Sequence, residues 1–272
     1  ESEERAPSEV SFQMDPCYEL SIARASPPLR VQLSPSDMHA LRLLAKTLAN
    51  SMLRLVLGWK RLGRHSEDGA LAVLQHVRKV ALKKADSSKD VLSRRGFDGC
   101  VLALVDIDEL ERAQQAICSA PLDALFRALD RNHADGIDVR EFIIAFSVLC
   151  GGSKSVKLAF AFETLDAKRE EQLDRQELRR LFRSFLTALS SFSLGMSEQE
   201  RDEKSVAIEA AAVWASERVF EVAGISDPDR CTFGDLATWY DAEGIRKAPW
   251  LELLDLRKWT SEGEKGNEDV DT

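Results

Sequence analysis

Residues 125–182 read LFRALDRNHADGIDVREFIIAFSVLCGGSKSVKLAFAFETLDAKREEQLDRQELRRLF, and this stretch decides the fold. Twice within it an apolar helical face stops, a polar loop follows, and a second apolar face begins. In the first copy Leu122, Leu125, Phe126 and Leu129 recur at three- and four-residue spacing, which puts them on one side of a helix. The loop Asp130 to Glu141 follows, and Phe142, Phe146 and Leu149 then share a side of the next helix. The second copy has Phe160, Phe162 and Leu165, the loop Asp166 to Glu177, and then Leu178, Leu181, Phe182 and Phe185.

Fainter copies flank these two. One has a loop Ala85 to Gly96 with Phe97 after it, and the other a loop Gly224 to Asp235 with Leu236 after it. Each of the four loops keeps an apolar residue at its eighth place: Leu92, Ile137, Leu173 and Cys231. Four copies of one unit make an internal repeat, which weighs more than a single motif. The eighth residues predict two short strand contacts, Leu92 with Ile137 and Leu173 with Cys231, that need no metal.

Working outward, Ser34-Pro35-Ser36-Asp37 predicts a helix start with proline at the first helical position. Leu41, Leu44, Leu48, Met52, Leu55 and Val56 give that helix an apolar stripe up to about Gly58, and a second helix is expected over 70–84. The expected organisation is an extended or disordered arm (1–33), then N-terminal helices and the first unit leading into the second (34–129). The second and third loops with their outgoing helices (130–189), a linker and fourth unit (190–247), and a Trp-rich short helix with an acidic tail (248–272) complete the chain.

The stretch from Leu92 to Tyr240 resembles the four-EF-hand architecture of neuronal calcium sensors, calcineurin B-like proteins and the regulatory domains of calcium-activated NADPH oxidases. The quoted segment follows the order of the second and third hands in those families, and the linker Gly151-Gly152-Ser153 before Lys157, Leu158 and Phe160 agrees with it. The resemblance implies an all-α, two-lobe, calmodulin-like array with a helical N-terminal extension. It also implies apolar grooves that bind a partner helix, lined by Phe126, Phe142, Phe146, Phe162, Phe182 and Phe185.

A calcium loop supplies oxygens from its first, third, fifth, seventh, ninth and twelfth places, with glycine at the sixth. The Asp130 loop keeps Asp130, Asn132, Asp138 and Glu141, but Ala134 holds the fifth place, and Asp135 reaches an ion only if the turn is remodelled. A weaker set is Asp166, Glu170, Asp174 and Glu177, with Lys168 at the third place and Glu171 in place of the glycine. A salt bridge from Lys168 to Glu170 or Asp174 would imitate the ion. The other two loops end in Gly96 and Asp235, and the last has Pro228 fifth, so both are expected to be silent.

Composition narrows the function classes. A formal charge of -9 argues against a phosphate backbone as the main ligand. No apolar run approaches the roughly 20 residues that span a bilayer. Five scattered cysteines (Cys17, Cys100, Cys118, Cys150, Cys231) without a CxxC pair read as buried thiols in the cytoplasm or another reducing compartment. The chain begins with Glu1, so a removed targeting peptide would not be seen. His39, His65, His76 and His133 lack paired ligands, and no phosphate loop or nucleophile elbow occurs. Pro249 opens a short apolar helix with Trp250, Leu253, Leu254 and Leu256, suited to fill a groove or complete the core. The expectation is a non-enzymatic EF-hand-type regulatory or adaptor protein that binds an amphipathic helix, with at most one or two weak calcium sites. Its alternatives are a calcium-sensing regulatory domain of a larger membrane enzyme and a purely structural subunit of a large assembly.

Overall fold

The computed structural model describes residues 18–22, 29–57, 67–86, 88–106, 110–222 and 229–255, and it is predominantly helical. A hairpin comes first, β1 (Tyr18–Ile22) antiparallel to β2 (Leu29–Leu33) with Leu20 opposite Val31. These strands fall where no regular structure is read from the sequence. Each alternates apolar with polar residues, Tyr18, Leu20 and Ile22 in one and Leu29, Val31 and Leu33 in the other, but over only five positions and among Pro16, Pro27 and Pro28. Helix α1 (Pro35–Leu57) starts and stops where expected. Its start is closed reciprocally: the Asp37 amide donates to Ser34 Oγ at 3.2 Å and the Ser34 amide to Asp37 Oδ2 at 2.9 Å.

Four units of helix, loop, short strand and helix follow. The first is α2 (Glu67–Lys84), β3 (Val91–Ser93) and α3 (Arg94–Leu104), and the second is α4 (Arg112–Leu129), β4 (Gly136–Asp138) and α5 (Val139–Ser147). The third is α6 (Lys154–Leu165), β5 (Gln172–Asp174) and α7 (Arg175–Ser191). The fourth is α8 (Glu198–Val222), β6 (Arg230–Thr232) and α9 (Phe233–Trp239). Helix α8 takes up 25 residues of the segment expected to hold a linker.

The strands pair antiparallel in the expected register, Leu92 opposite Ile137 and Leu173 opposite Cys231. At Gly136 a side chain would crowd β3, because a Cβ there would lie 2.9 Å from Val91 Cγ1, which would have to shift. One hydrophobic core runs through both halves of the molecule. In the first half, Phe97 sets its ring edge-on to Phe126 and Phe142, with centroids 5.1 and 5.4 Å away.

Two further segments lie on these units. Helix α1 packs on α4, with contacts to α2 and α3, and buries Leu41, Leu44, Leu48 and Met52. After α9 come a π turn (Tyr240–Gly244), the short α10 (Ile245–Lys247) and a 3-10 helix (Pro249–Leu254) laid on α6. Proline opens that last helix as expected, though its winding is tighter than α. Cys17, His65, residues 223–228 with the start of the fourth loop, and residues 256–272 with Trp259 and the acidic tail lie outside the described residues.

Candidate functional site

The polar loops hold their shape from within. Asp130 is buried, and its two carboxylate oxygens accept the amides of Ala134 and Asp135, each at 3.0 Å. Asp166 repeats the arrangement, accepting from Glu170 at 3.0 Å and Glu171 at 2.8 Å. The sixth place is left-handed in three loops, with φ of 52° at Asp90, 55° at Asp135 and 58° at Glu171. For residues other than glycine this costs about 1–2 kcal/mol each. The remodelled turn that would bring Asp135 inward is therefore not formed: Asp135 takes the left-handed place itself, keeps its side chain exposed, and leaves Gly136 to begin β4.

Of the remaining candidates of this loop, Asp138 and Glu141 are engaged elsewhere. Asn132 is exposed. Asp138 Oδ1 caps α5, accepting the amides of Arg140 at 2.9 Å and Glu141 at 3.1 Å, while its Oδ2 pairs with Arg180 at 2.8 Å. Glu141 is only 5% exposed at its side chain and lies among three guanidinium groups. Arg183 Nη2 meets it at 2.5 Å, Arg180 Nε at 3.4 Å, and Arg131 from the loop also binds it. Arg183 pairs in turn with Glu209 of α8 at 3.3 Å. Burial works against the Arg183 charge, but Glu141 and Glu209 outweigh it and raise its pKa. Among the described residues, no three His, Cys, Asp or Glu side chains are grouped so as to hold a metal ion. In this arrangement the loop does not fit calcium, because its twelfth-place carboxylate already faces cations.

In the third unit the candidate ligands serve the fold as well. Asp174 and Glu177 form a reciprocal cap on α7, with the Glu177 amide 2.8 Å from Asp174 Oδ1 and the Asp174 amide 2.9 Å from Glu177 Oε2. Glu170 pairs with Arg230 at 3.1 Å, across from the fourth unit. Lys168 is exposed, so the expected imitation of an ion by Lys168 is replaced by a bridge from Arg230.

The aromatic clefts are covered. Phe126, Phe142, Phe146, Phe162, Phe182 and Phe185 are all buried. Helix α1 closes the first half, and in the second Trp250 sets its ring edge-on to Phe182, centroids 5.8 Å apart. Leu251 and Leu254 are buried beside it. The segment is held at its rim by Glu252, which takes Lys154 at 2.5 Å and the Tyr240 hydroxyl. At its end the buried Lys157 donates to the carbonyls of Leu254 at 2.6 Å and Val148 at 3.0 Å. Burial pushes the thiols of Cys100, Cys150 and Cys231 up to about 12, so they stay protonated at neutral pH.

The residues at these positions that sequence reasoning missed are Arg131, Arg180, Arg183 and Lys157. The signal lay in Arg180 and Arg183, three residues apart on a helix that follows an acidic loop, but pairing them with Glu141 requires knowing that α7 crosses the second loop.

No family model and no solved structure matches the chain. Over 81 residues it is 33% identical to a lysophosphatidylcholine acyltransferase 2B of Rattus norvegicus, covering 29% of this chain and 16% of that protein. Over 115 residues it is 24% identical to a recoverin family protein of Dictyostelium discoideum, covering 42% of this chain and 51% of that protein. The match thus spans about half the length of one of these relatives and under a fifth of the other. The similarity to the recoverin family protein is distant and points to the EF-hand superfamily. Among the described residues, no helix is long and apolar enough to cross a membrane.

Proposed function

We propose that the chain is a regulatory or adaptor protein of EF-hand type, which binds a protein partner and carries out no chemistry of its own. The four helix–loop–helix units, their paired eighth residues and the distant recoverin-family similarity support the type. The observation that carries the mode of action is the cover on the second aromatic cleft. A six-residue 3-10 helix anchored by Trp250 occupies it, where a longer amphipathic helix would make more contact. Helix α1, with 23 residues and four deeply buried anchors, is the permanent cover of the first half. The partner is an amphipathic helix that displaces the 3-10 helix, and the Glu252 contacts add to the cost of doing so.

The test is titration with a model amphipathic helical peptide, read by tryptophan emission, on wild type and on Glu252→Ala. Loosening the latch raises the population of the open cleft, so Glu252→Ala is expected to bind about fivefold or more tightly. Equal affinities, or no binding to either protein, would reject displacement. A second reading, a regulatory part of a larger enzyme, draws support from the 81-residue similarity to a small part of an acyltransferase. It predicts that the polypeptide in its native source has an intact mass well above 30.4 kDa.

A further inference from the structure

The second loop takes its balancing charge from the other half of the molecule. Glu141 is buried, and a buried carboxylate without a cation is strongly disfavoured. Arg183 and Arg180 supply the cation from α7, the outgoing helix of the third unit, and Arg131 adds a third from the loop. Arg180 bridges Glu141 and Asp138, and Arg183 bridges Glu141 and Glu209, so α7 ties the second loop to α8. A cavity of about 470 Å³ opens beside the cluster, bounded by the end of α4, the loop, the end of α7 and the start of α8. Its wall carries Arg94, Arg127, Arg131, Arg183, Arg201 and Lys204 against only four carboxylates, so basic groups outnumber acidic ones there.

We infer that this arginine cluster is the resident cation of the second loop: it balances Glu141 and Asp138 as a calcium ion would, and it fastens the two halves together without calcium. The inference rests on the EF-hand-type reading of the loops. The guanidinium fork suits the task, since it reaches two carboxylates at once and stays charged at all relevant pH. The loop needs no ion for its turn, which Asp130 already holds through two backbone amides.

The test uses the full chain with calcium chloride as the titrant, followed by calorimetry and by amide hydrogen exchange. Wild type is expected to show no saturable heat up to about 1 mM calcium, the range of weak sites, and unchanged exchange over residues 130–141. Arg131→Gln/Arg180→Gln/Arg183→Gln, which frees Glu141 of all three guanidinium groups, is expected to raise exchange over that loop about tenfold or more, and calcium is expected to slow it again by binding Glu141. Saturable binding by wild type that Glu141→Gln abolishes would overturn the inference, and it needs no destabilised variant. So would a triple variant whose exchange calcium leaves untouched. The same exchange data read the strands 91–93 and 136–138. Protected strands combined with calcium binding would sink the inference alone, whereas unprotected strands would sink the EF-hand-type reading.

Discussion

Asp130 and Asp166 each spend a whole carboxylate on two backbone amides, so the turn of a polar loop is fixed before any partner arrives. Gly136 answers a different need. Gly136→Ala would push a methyl group to within 2.9 Å of Val91 Cγ1, and overpacking of this kind costs about 1–3 kcal/mol. Urea unfolding of the variant should show that loss, and an unchanged midpoint would mean that β3 and β4 do not approach so closely. Lys157 makes the pH-dependent case. Burial holds its pKa down at about 8 against an ordinary 10.5, with Asp255 and Cys150 beside it. The unfolded chain therefore binds the extra proton between those values, and this group makes stability rise across that window by up to about 3 kcal/mol. Buried cysteines and Tyr240, raised to about 12, pull the other way at high pH, so the readout must be a difference. Stability of wild type minus that of Lys157→Met should increase from about pH 7.5 to pH 10.5, and a flat difference would contradict the buried charge. Candidate ligands were legible at this scale by position, whereas their use was not. Glu141 reads as a twelfth-place ligand until Arg183, distant in sequence, is seen against it.

Among the elements, α1 and the 3-10 helix do similar work with unequal grip. The start of α1 was readable because proline at the first helical position and a serine–aspartate cap are local chemistry. The hairpin of β1 and β2 was not read, since its apolar–polar alternation lasts only five residues in each strand and lies among Pro16, Pro27 and Pro28. The register of the other strand pairs was legible, because each polar loop has a single buried apolar residue at its eighth place and only one alignment brings these face to face. Trp250 is the anchor of the 3-10 helix, 1% exposed and packed on Phe182. Trp250→Ala should cost about 3–5 kcal/mol, the usual loss for a large buried aromatic. Thermal unfolding checks it, and a loss below about 1 kcal/mol, as at a typical surface site, would place Trp250 outside the core.

At the scale of the whole molecule, helical content and the four-unit order follow from hydrophobic spacing, while the joining of the halves does not. Spacing specifies which face of a helix is buried but not which neighbour covers it. The covers here are α1 and the chain's own last described segment, and a charge cluster between α7 and the second loop adds to the apolar packing of α7 on α4 and α5 that joins the halves. Under the function proposed above, a partner helix would act through the shortest cover. The most direct measurement is hydrogen exchange over residues 248–255 as a model amphipathic helical peptide is added to the full chain. Exchange there should rise on peptide binding while residues 41–52 of α1 stay protected. Peptide binding that leaves 248–255 fully protected, or that exposes α1 instead, would contradict displacement of the 3-10 helix.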